Sequence, residues 1–332
     1  PSCWRPDGTA GSSYRATIRS LNTFRSWVGS RTSRPKRIRR VAVPVVILTL
    51  IYAAVSFYIA DSALDAEANP LEERPQDFAL HYEEVEFTPR GWPTIVLRGW
   101  WLPAPDARAT VIRVHGIDSN RSSMLAMAPA LIESGYSVLA FDLRGHGESG
   151  QAQMGAGVHE QDDLLGAVDY LIRERGAEAG AIFLHGNSYG GAIALMSGWR
   201  EPAVAGVFAD SAFASLSDLV VQEVARRTSA PSWLASVLRP GVILMARLSK
   251  GIDIGGVYPA GDAARYSYAI GLAHCDIDDR IPISHLERIR AGLRYPPRLT
   301  VYEGCAHGDA WDDYPLRYEA ALIAYLDERL GT

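Results

Sequence analysis

Cysteine is scarce in this 332-residue chain, which contains only Cys3, Cys275 and Cys305. No cysteine or histidine spacing resembles a metal site, and no glycine-rich phosphate loop is present. The sequence therefore implies neither a metal nor another cofactor. Any chemistry has to be carried by ordinary side chains.

Charge is absent from residues 41–60, VAVPVVILTLIYAAVSFYIA. As a helix rising about 1.5 Å per residue, this run extends roughly 30 Å, the hydrocarbon thickness of a bilayer. The first 40 residues have a net charge of +9, in a chain whose net charge is −5. Because positive charge stays on the cytoplasmic side, we expect residues 1–40 to be a disordered cytoplasmic tail. Residues 41–60 are then a single transmembrane helix, and the rest of the chain is extracytoplasmic.

Three other interpretations compete with a membrane anchor. A cleaved signal peptide needs a shorter apolar core and a small-residue cleavage site, for which residues 66–68 are a poor match. A buried core helix needs preceding chain to pack around it. The basic run could bind nucleic acid. Because it lies beside an apolar span, it is better explained as the charge that orients the span in the membrane. We therefore expect a membrane partner and no nucleic acid, with residues 61–77 as an acidic linker.

The most informative motif is GNSYG, residues 186–190, directly after the apolar run 181–185. A strand that ends in G-x-S-x-G and turns at once into a helix is typical of a nucleophile elbow. The alternative is an incidental Gly-Ser turn, but helix formers follow the motif directly. Ser188 is therefore the candidate nucleophile.

A serine nucleophile needs a histidine base, and three histidines follow Ser188 in the chain: His274, His285 and His307. His307 follows a predicted strand at 298–303 and precedes a predicted final helix. His285 lies in a helical pattern and His274 in a strand, which is typical of structural residues. We expect His307 to be the base.

The orienting acid should end the preceding predicted strand, 269–275, where the chain carries HCDIDDRIP at 274–282. This segment resembles the α/β-hydrolase superfamily, whose members often have H-G-x-x-D-x-x-V-P here with that Asp in the triad. The resemblance assigns this role to Asp278. Asp279 is the alternative register, and Asp210 occupies the position from which some members take their acid.

Two further segments carry the same resemblance. The H-G turn at 115–116 follows an apolar strand. In members of the superfamily that this chain resembles, this turn supplies an oxyanion-hole amide, which here would be that of Ile117. The second amide comes from the residue after the nucleophile, Tyr189. The segment DLRGHGES, 142–149, matches a structural turn of the superfamily. Its Asp142 and Arg144 are expected to brace loops.

The resemblance covers residues 80–330 and implies an α/β-hydrolase fold. The predicted fold is a mostly parallel eight-stranded sheet with helices on both faces, a first antiparallel hairpin, and a small helical cap at about 211–266. The whole hydrolase domain is expected at 78–332. Within the superfamily the chain resembles the serine aminopeptidase and monoacylglycerol lipase group. Strands are predicted near residues 81–88, 94–102, 109–115, 136–142, 181–186, 204–210, 269–275 and 298–303.

The expected activity is hydrolysis of a small-molecule or lipid-like ester or thioester through an acyl-enzyme. A serine peptidase of the aminopeptidase type is the alternative. A non-catalytic binding protein on the same fold is the second alternative. Cys275 and Cys305 each flank a predicted triad residue. Either they form a disulfide, as is possible in an exported domain, or they are two small buried residues.

Overall fold

The computed structural model describes residues 34–65, 68–228 and 231–331. They divide into two compact units, one ending at Ile51 and one beginning at Tyr52. In the first unit, the described residues form the beginning of helix α1, Arg34–Ala63. Its segment Arg39–Ala63 contains an 18-residue window with a mean hydropathy of 2.2 and is long and apolar enough to cross a membrane. The helix begins seven residues before the predicted span, and the predicted disordered tail lies largely outside the described residues.

An eight-stranded sheet forms the centre of the second unit, with the order β1-β2-β4-β3-β5-β6-β7-β8. β1 pairs antiparallel with β2, which pairs antiparallel with β4, and the other neighbours are parallel. The predicted hairpin and mostly parallel sheet are confirmed. The strands are β1 Glu83–Phe87, β2 Leu97–Leu102, β3 Ala109–Val114, β4 Tyr136–Phe141, β5 Ile182–Asn187, β6 Val204–Asp210, β7 Gly271–Cys275 and β8 Arg298–Tyr302.

Helices follow the strands from β4 onward, as expected of parallel crossovers. Three short 3₁₀ turns lie at Pro75–Phe78, Arg121–Met124 and Ile254–Gly256. The other helices are α2 Ala128–Glu133, α3 Glu160–Glu174, α4 Tyr189–Gly198, α5 Leu216–Thr228, α6 Ser232–Lys250, α7 Pro259–Ala263, α8 Ser284–Gly292, α9 Ala310–Asp313 and α10 Pro315–Leu330.

The sheet has one apolar cluster on each face because successive strand side chains point in opposite directions. Ile112 belongs to the cluster that includes residues of α3, α4, α7 and α8. Its neighbour Val111 belongs to the cluster that includes residues of α2 and α10. Complete burial of β3, β4 and β6 explains their near-continuous apolar sequences.

Between β6 and β7, helices α5, α6 and α7 occupy the segment for which a cap was predicted. The described residues of the predicted linker form hydrogen bonds with the rest of the chain. Asn120 donates from its side-chain amide to the carbonyl oxygens of Asn69 and Pro70, and Asn69 donates to that of Asp118. These bonds tie the linker to the loop after β3.

Candidate active site

Ser188 lies at the turn between β5 and α4, with a backbone φ of 55° and ψ of −113°. This left-handed conformation is strained for a residue with a Cβ atom. The turn is so tight that a Cβ on Gly190 would lie 2.2 Å from the carbonyl oxygen of Val114. A Cβ on Gly186 would lie 2.3 Å from the backbone of Gly190. Both glycines of the motif are therefore needed to form the turn.

The serine, histidine and aspartate selected from the sequence lie together at the carboxyl ends of β5, β7 and β8. His307 Nε2 is 2.8 Å from Ser188 Oγ, and His307 Nδ1 is 2.6 Å from Asp278 Oδ2. Asp278 Oδ1 accepts hydrogen bonds from the backbone amides of Arg280 and Ile281 at 3.0 and 2.7 Å. The loop thus aims one carboxylate oxygen at the imidazole and anchors the other.

The two alternative acids lie elsewhere. Asp210 is buried and accepts hydrogen bonds from the Tyr318 hydroxyl and the Asn187 amide at 3.1 and 3.2 Å. Burial raises its pKa, which disfavours a permanently charged role. Asp279 is exposed. The geometry therefore favours Asp278 as the partner of His307.

The other two histidines after Ser188 make structural contacts. His274 Nε2 lies 2.8 Å from the carbonyl oxygen of Ile281, closing the loop that carries Asp278. His285 Nδ1 accepts from the backbone amide of Ala214, and its Nε2 lies 2.7 Å from Gln222 Oε1 in α5. Burial lowers the pKa of His285 to about 4, so this link between α5 and α8 uses the neutral ring.

The turn after β3 lies against the nucleophile. A Cβ on Gly116 would be 3.6 Å from the Cβ of Ser188, so the following residue, Ile117, borders the same space. Tyr189 is the first residue of α4, where amide groups have no partner within the helix. Both residues line the pocket that contains Ser188. Their amides remain the predicted oxyanion hole.

His115 holds this turn in place, a role that its position in the H-G motif did not reveal. Its Nε2 accepts from the backbone amide of Leu143 at 3.0 Å, and its Nδ1 lies 2.7 Å from the carbonyl oxygen of Gly116. Burial lowers the pKa of His115 to about 3, so the ring is neutral with its proton on Nδ1. The imidazole thereby ties the turn after β3 to the loop after β4.

The loop after β4 is braced by buried ion pairs, as expected for Asp142 and Arg144. Asp142 accepts from the backbone amides of Arg121 and Glu148 at 2.7 and 2.9 Å. The Arg144 guanidinium pairs with Asp163 in α3. His146, two residues after Arg144, is buried, and its Nδ1 lies 2.9 Å from the carbonyl oxygen of Arg144.

A buried hydrogen-bonded series beneath the nucleophile was missed in the sequence. Arg113 Nε donates to His185 Nδ1, whose other nitrogen, Nε2, lies 2.8 Å from the Tyr318 hydroxyl. Tyr318 in turn donates to Asp210. Burial lowers the pKa of Arg113 to about 10. These residues lie on four separate elements and share no motif, so no sequence signal could have grouped them.

Cys275 and Cys305 form a disulfide, which decides between the two interpretations left open above. Cys275 ends β7, and Cys305 lies in the loop after β8. The bond therefore links the two segments that carry Asp278 and His307. Among the residues that the structure describes, no group of three or more His, Cys, Asp or Glu is placed to hold a metal ion.

Ser188 opens into a largely apolar pocket of about 510 Å³. Leu219 and Val220 of α5 line it, whereas the described residues of α6 do not. Instead, Trp233 and Leu244 are exposed, and Ile243 and Met245 pack against a small apolar cluster. The remaining apolar lining residues are Tyr58, Ile59, Ala60, Ala63, Leu64, Ile117, Met154, Ala156, Tyr189, Phe213, Leu216, Val224, Ile254 and Ile281.

Comparisons with known proteins agree with this architecture. A family model described as serine aminopeptidase, S33, matches residues 105–252. The protein YqkD of Bacillus subtilis is 24% identical over 295 residues, covering 87% of this chain and 95% of YqkD. YfhR of Escherichia coli K12 is 29% identical over 239 residues, which cover 70% of this chain and 75% of YfhR. Both carry the description "uncharacterized protein".

Among solved structures, the Pyrococcus furiosus esterase Pf2001 superposes with a TM-score of 0.64 at 22% identity. The superposition covers 79% of this chain and 97% of the esterase. At this identity the likeness shows a shared fold. The predicted fold class is thereby confirmed.

Proposed function

We propose that this chain, which has the α/β-hydrolase fold and matches the serine aminopeptidase family model over residues 105–252, is a serine hydrolase that cleaves carboxylic ester or thioester bonds. One observation carries the proposal: Ser188, His307 and Asp278 form a hydrogen-bonded series at an apolar pocket. A serine alone is a weak nucleophile at neutral pH, and this series supplies the base and the orienting acid.

The proposed reaction proceeds in two stages. Ser188 Oγ attacks the carbonyl carbon while His307 Nε2 takes the serine proton, and the resulting oxyanion is held by the amides of Ile117 and Tyr189. His307 then protonates the leaving alcohol or thiol, which departs and leaves an acyl-serine. Water, deprotonated by His307, then attacks this ester; the bond to Ser188 Oγ breaks, the carboxylic acid leaves, and His307 returns the proton to Ser188. Asp278 keeps the proton of the imidazole on Nδ1 throughout.

A serine peptidase of the aminopeptidase type is the second candidate, favoured by the description of the matching family model. Its chemistry would use the same three residues. The lining of the pocket supports ester hydrolysis, since most of the pocket surface comes from apolar side chains. Comparing rates on p-nitrophenyl butyrate and leucine p-nitroanilide separates the two activities, and a faster anilide reaction would favour the peptidase.

The test of the proposed function uses the full-length protein in detergent. Wild-type protein should react with a fluorophosphonate probe and hydrolyse p-nitrophenyl butyrate. Ser188→Ala should lose probe labelling, with a rate loss on the order of 10⁶ if the three residues act as a unit. A Ser188→Ala protein retaining a tenth of wild-type activity would rule out Ser188. A folded wild type that neither reacts nor hydrolyses would support the binding-protein alternative.

We also propose that α1 anchors the enzyme in a membrane, with the basic N-terminus cytoplasmic and the hydrolase domain outside. The long apolar helix and the charge before it support this orientation. Full-length protein should stay with membranes through a carbonate wash, and the hydrolase domain should be cut by protease added from the extracytoplasmic side. Recovery in the soluble fraction would contradict the anchor, and protection from protease would contradict the orientation.

A further inference from the structure

Helix α6 of the cap runs alongside the second half of α1, residues 52–63. The Tyr52 hydroxyl donates to the carbonyl oxygen of Val237 and accepts from the amide of Gly241, both at 2.9 Å. Nine residues further along α1, Asp61 pairs with Lys250 at the end of α6 at 2.8 Å. The two helices are therefore parallel, and α6 follows α1 for about 13 Å at 1.5 Å per residue.

The two helices approach closely because small residues face each other. A Cβ on Gly241 would lie 2.3 Å from the Ser56 hydroxyl. Ala60 and Ala246 are both buried, at 1% and 0% exposure, in one apolar cluster. Small residues that let two backbones approach are characteristic of helix pairs in membranes. Wherever the second half of α1 lies, α6 must therefore lie beside it.

The face of α6 directed away from the protein carries an apolar stripe. Trp233, Val237, Leu244 and Leu248 are exposed by 66%, 54%, 50% and 70%. At 100° per residue, these four positions fall within about 60° of one another around the helix. We call them the α6 stripe. A continuous exposed apolar stripe on a soluble surface is unfavourable, whereas beside a membrane helix it would contact acyl chains.

Arg239 and Arg226 of the cap form ion pairs on other faces, whereas Arg247 is exposed beside the α6 stripe and can extend its guanidinium to the lipid headgroups. Arg239 points away from the α6 stripe and pairs with Asp218 in α5 at 2.9 Å. Arg288 of α8 binds the other oxygen of the same carboxylate. Arg226 pairs with Glu223 within α5. Charges held in such pairs are less costly near lipid than isolated ones.

The pocket of Ser188 lies between these same elements. Tyr58, Ile59 and Ala63, from the last turns of α1, form part of its wall. Leu219 and Val220 of α5 form another part. The helix expected to be the membrane anchor is thus also a wall of the acyl pocket.

We propose that the α6 stripe lies among the acyl chains of the membrane, and that the substrates are acyl esters dissolved in the bilayer. The acyl chain reaches Ser188 from the lipid, along the wall that residues 58–63 of α1 form, without crossing water. This inference rests on the proposed function, because the same serine, His307 and Asp278 carry out the hydrolysis.

The test compares two esters with the full-length protein reconstituted in phosphatidylcholine vesicles. One is 4-methylumbelliferyl oleate dissolved in the vesicles, and the other is p-nitrophenyl butyrate in solution. Leu244→Glu and Leu248→Glu should each lower hydrolysis of the oleate at least about tenfold, because a carboxylate is strongly disfavoured among acyl chains. Hydrolysis of the butyrate should change by less than about twofold. Leu316→Glu is the matched control, because Leu316 is an exposed leucine of α10, at 81% exposure. It should alter neither rate.

The outcomes separate the two proposals. Both proposals are supported if Ser188→Ala loses both ester activities while the stripe variants lose only the hydrolysis of the oleate. A wild type that hydrolyses butyrate but not the oleate overturns the lipid substrate and leaves the proposed function standing. Retention of both activities by Ser188→Ala overturns the proposed function itself. Stripe variants with wild-type oleate hydrolysis overturn the membrane contact of α6.

A second measurement does not depend on activity. Vesicles containing a phosphatidylcholine with a diazirine in its acyl chain are irradiated, and the cross-linked peptides are identified by mass spectrometry. The α6 peptides should carry the lipid adduct at the stripe, while the α10 peptide containing Leu316 should not. Equal labelling of α6 and α10 would contradict the proposed contact even if the variants expressed poorly.

Discussion

Cys275 and Cys305 form a disulfide that joins the end of β7 to the loop after β8. Asp278 follows the first cysteine by three residues, and His307 follows the second by two. The bond therefore fixes the distance between the two segments whose side chains meet at 2.6 Å. The sequence left this pairing open, because it depends on β7 and β8 being neighbours in the sheet.

Removing this disulfide should destabilise the protein and disturb the candidate site. With a sequence separation of 30 between the cysteines, the constraint on the unfolded chain corresponds to about 3.6 kcal/mol of unfolding free energy. We expect Cys275→Ala/Cys305→Ala to lose roughly this amount in urea unfolding and to have a lower kcat. Reducing agent should act likewise on the wild type but leave the double variant unchanged. A wild type insensitive to complete reduction would contradict the prediction.

The positive φ of Ser188 predicts an unusual order of stability between two inactive variants. Glycine adopts a φ of 55° without strain and alanine does not. Ser188→Gly should therefore exceed Ser188→Ala in free energy of unfolding by about 1 kcal/mol. Ser197, buried within α4, provides the control, since glycine there should be the less stable variant by a similar amount. Equal stability of the two Ser188 variants would show that the elbow is not strained.

The identity of the acid can be tested with three isosteric substitutions. Asp278→Asn should lower kcat by about 10⁴, because the amide favours the wrong tautomer of His307. Asp279→Asn should be mild, since this side chain is exposed. Asp210→Asn should keep most activity, because Asp210 accepts hydrogen bonds from Tyr318 and Asn187 while His307 bonds to Asp278. A loss in Asp210→Asn that equals the loss in Asp278→Asn would mean that both carboxylates act on His307.

Local patterns in the sequence were enough to predict the strands and the candidate triad. The eight predicted strands agree with the observed ones within three residues at each end. Each predicted triad residue follows a strand, and the carboxyl ends of parallel strands meet at one edge of the sheet. The positions of Ser188, Asp278 and His307 after parallel strands were therefore enough to predict that they lie close together.

Contacts between distant segments could not be read in this way. The hydrogen bonds of Tyr52 to Val237 and Gly241 join residues more than 180 positions apart. The sequence shows only that α1 and α6 are apolar, and nothing in it pairs one helix with the other. The series from Arg113 through His185 to Tyr318 was missed for the same reason, since each bond joins separate elements.

The neutral ring of His285 predicts how stability depends on pH. Its pKa is lowered from 6.5 to about 4, so between these values the unfolded chain binds the proton and the folded chain does not. Stability should therefore fall as the pH decreases from about 6.5 to 4. His285→Asn keeps an acceptor for the Ala214 amide but cannot take up a proton. In urea titrations at several pH values, the unfolding free energy of His285→Asn should fall over this range by about 2 kcal/mol less than that of the wild type. An identical pH dependence in both proteins would exclude this histidine as a cause.

The size of the pocket predicts a dependence on acyl chain length. Each methylene buried in an apolar pocket contributes about 0.8 kcal/mol, and 1.4 kcal/mol corresponds to a factor of ten. Along p-nitrophenyl esters from acetyl to octanoyl, kcat/KM should therefore rise about tenfold or more. A steady decline beyond butyryl would mean that the apolar side chains only hold the cap on the body.

Two neighbouring valines of α5 show whether the pocket itself causes this preference. Val220 lines the pocket, whereas Val221, also partly buried, does not. In Val220→Trp the indole fills space that a long acyl chain needs, so the octanoyl rate should fall at least about tenfold relative to the acetyl rate. Val221→Trp adds the same bulk outside the pocket and should keep the wild-type ratio of the two rates. Equal ratios in both variants would mean that the acyl chain binds elsewhere, since only one of the substitutions changes the volume beside Ser188.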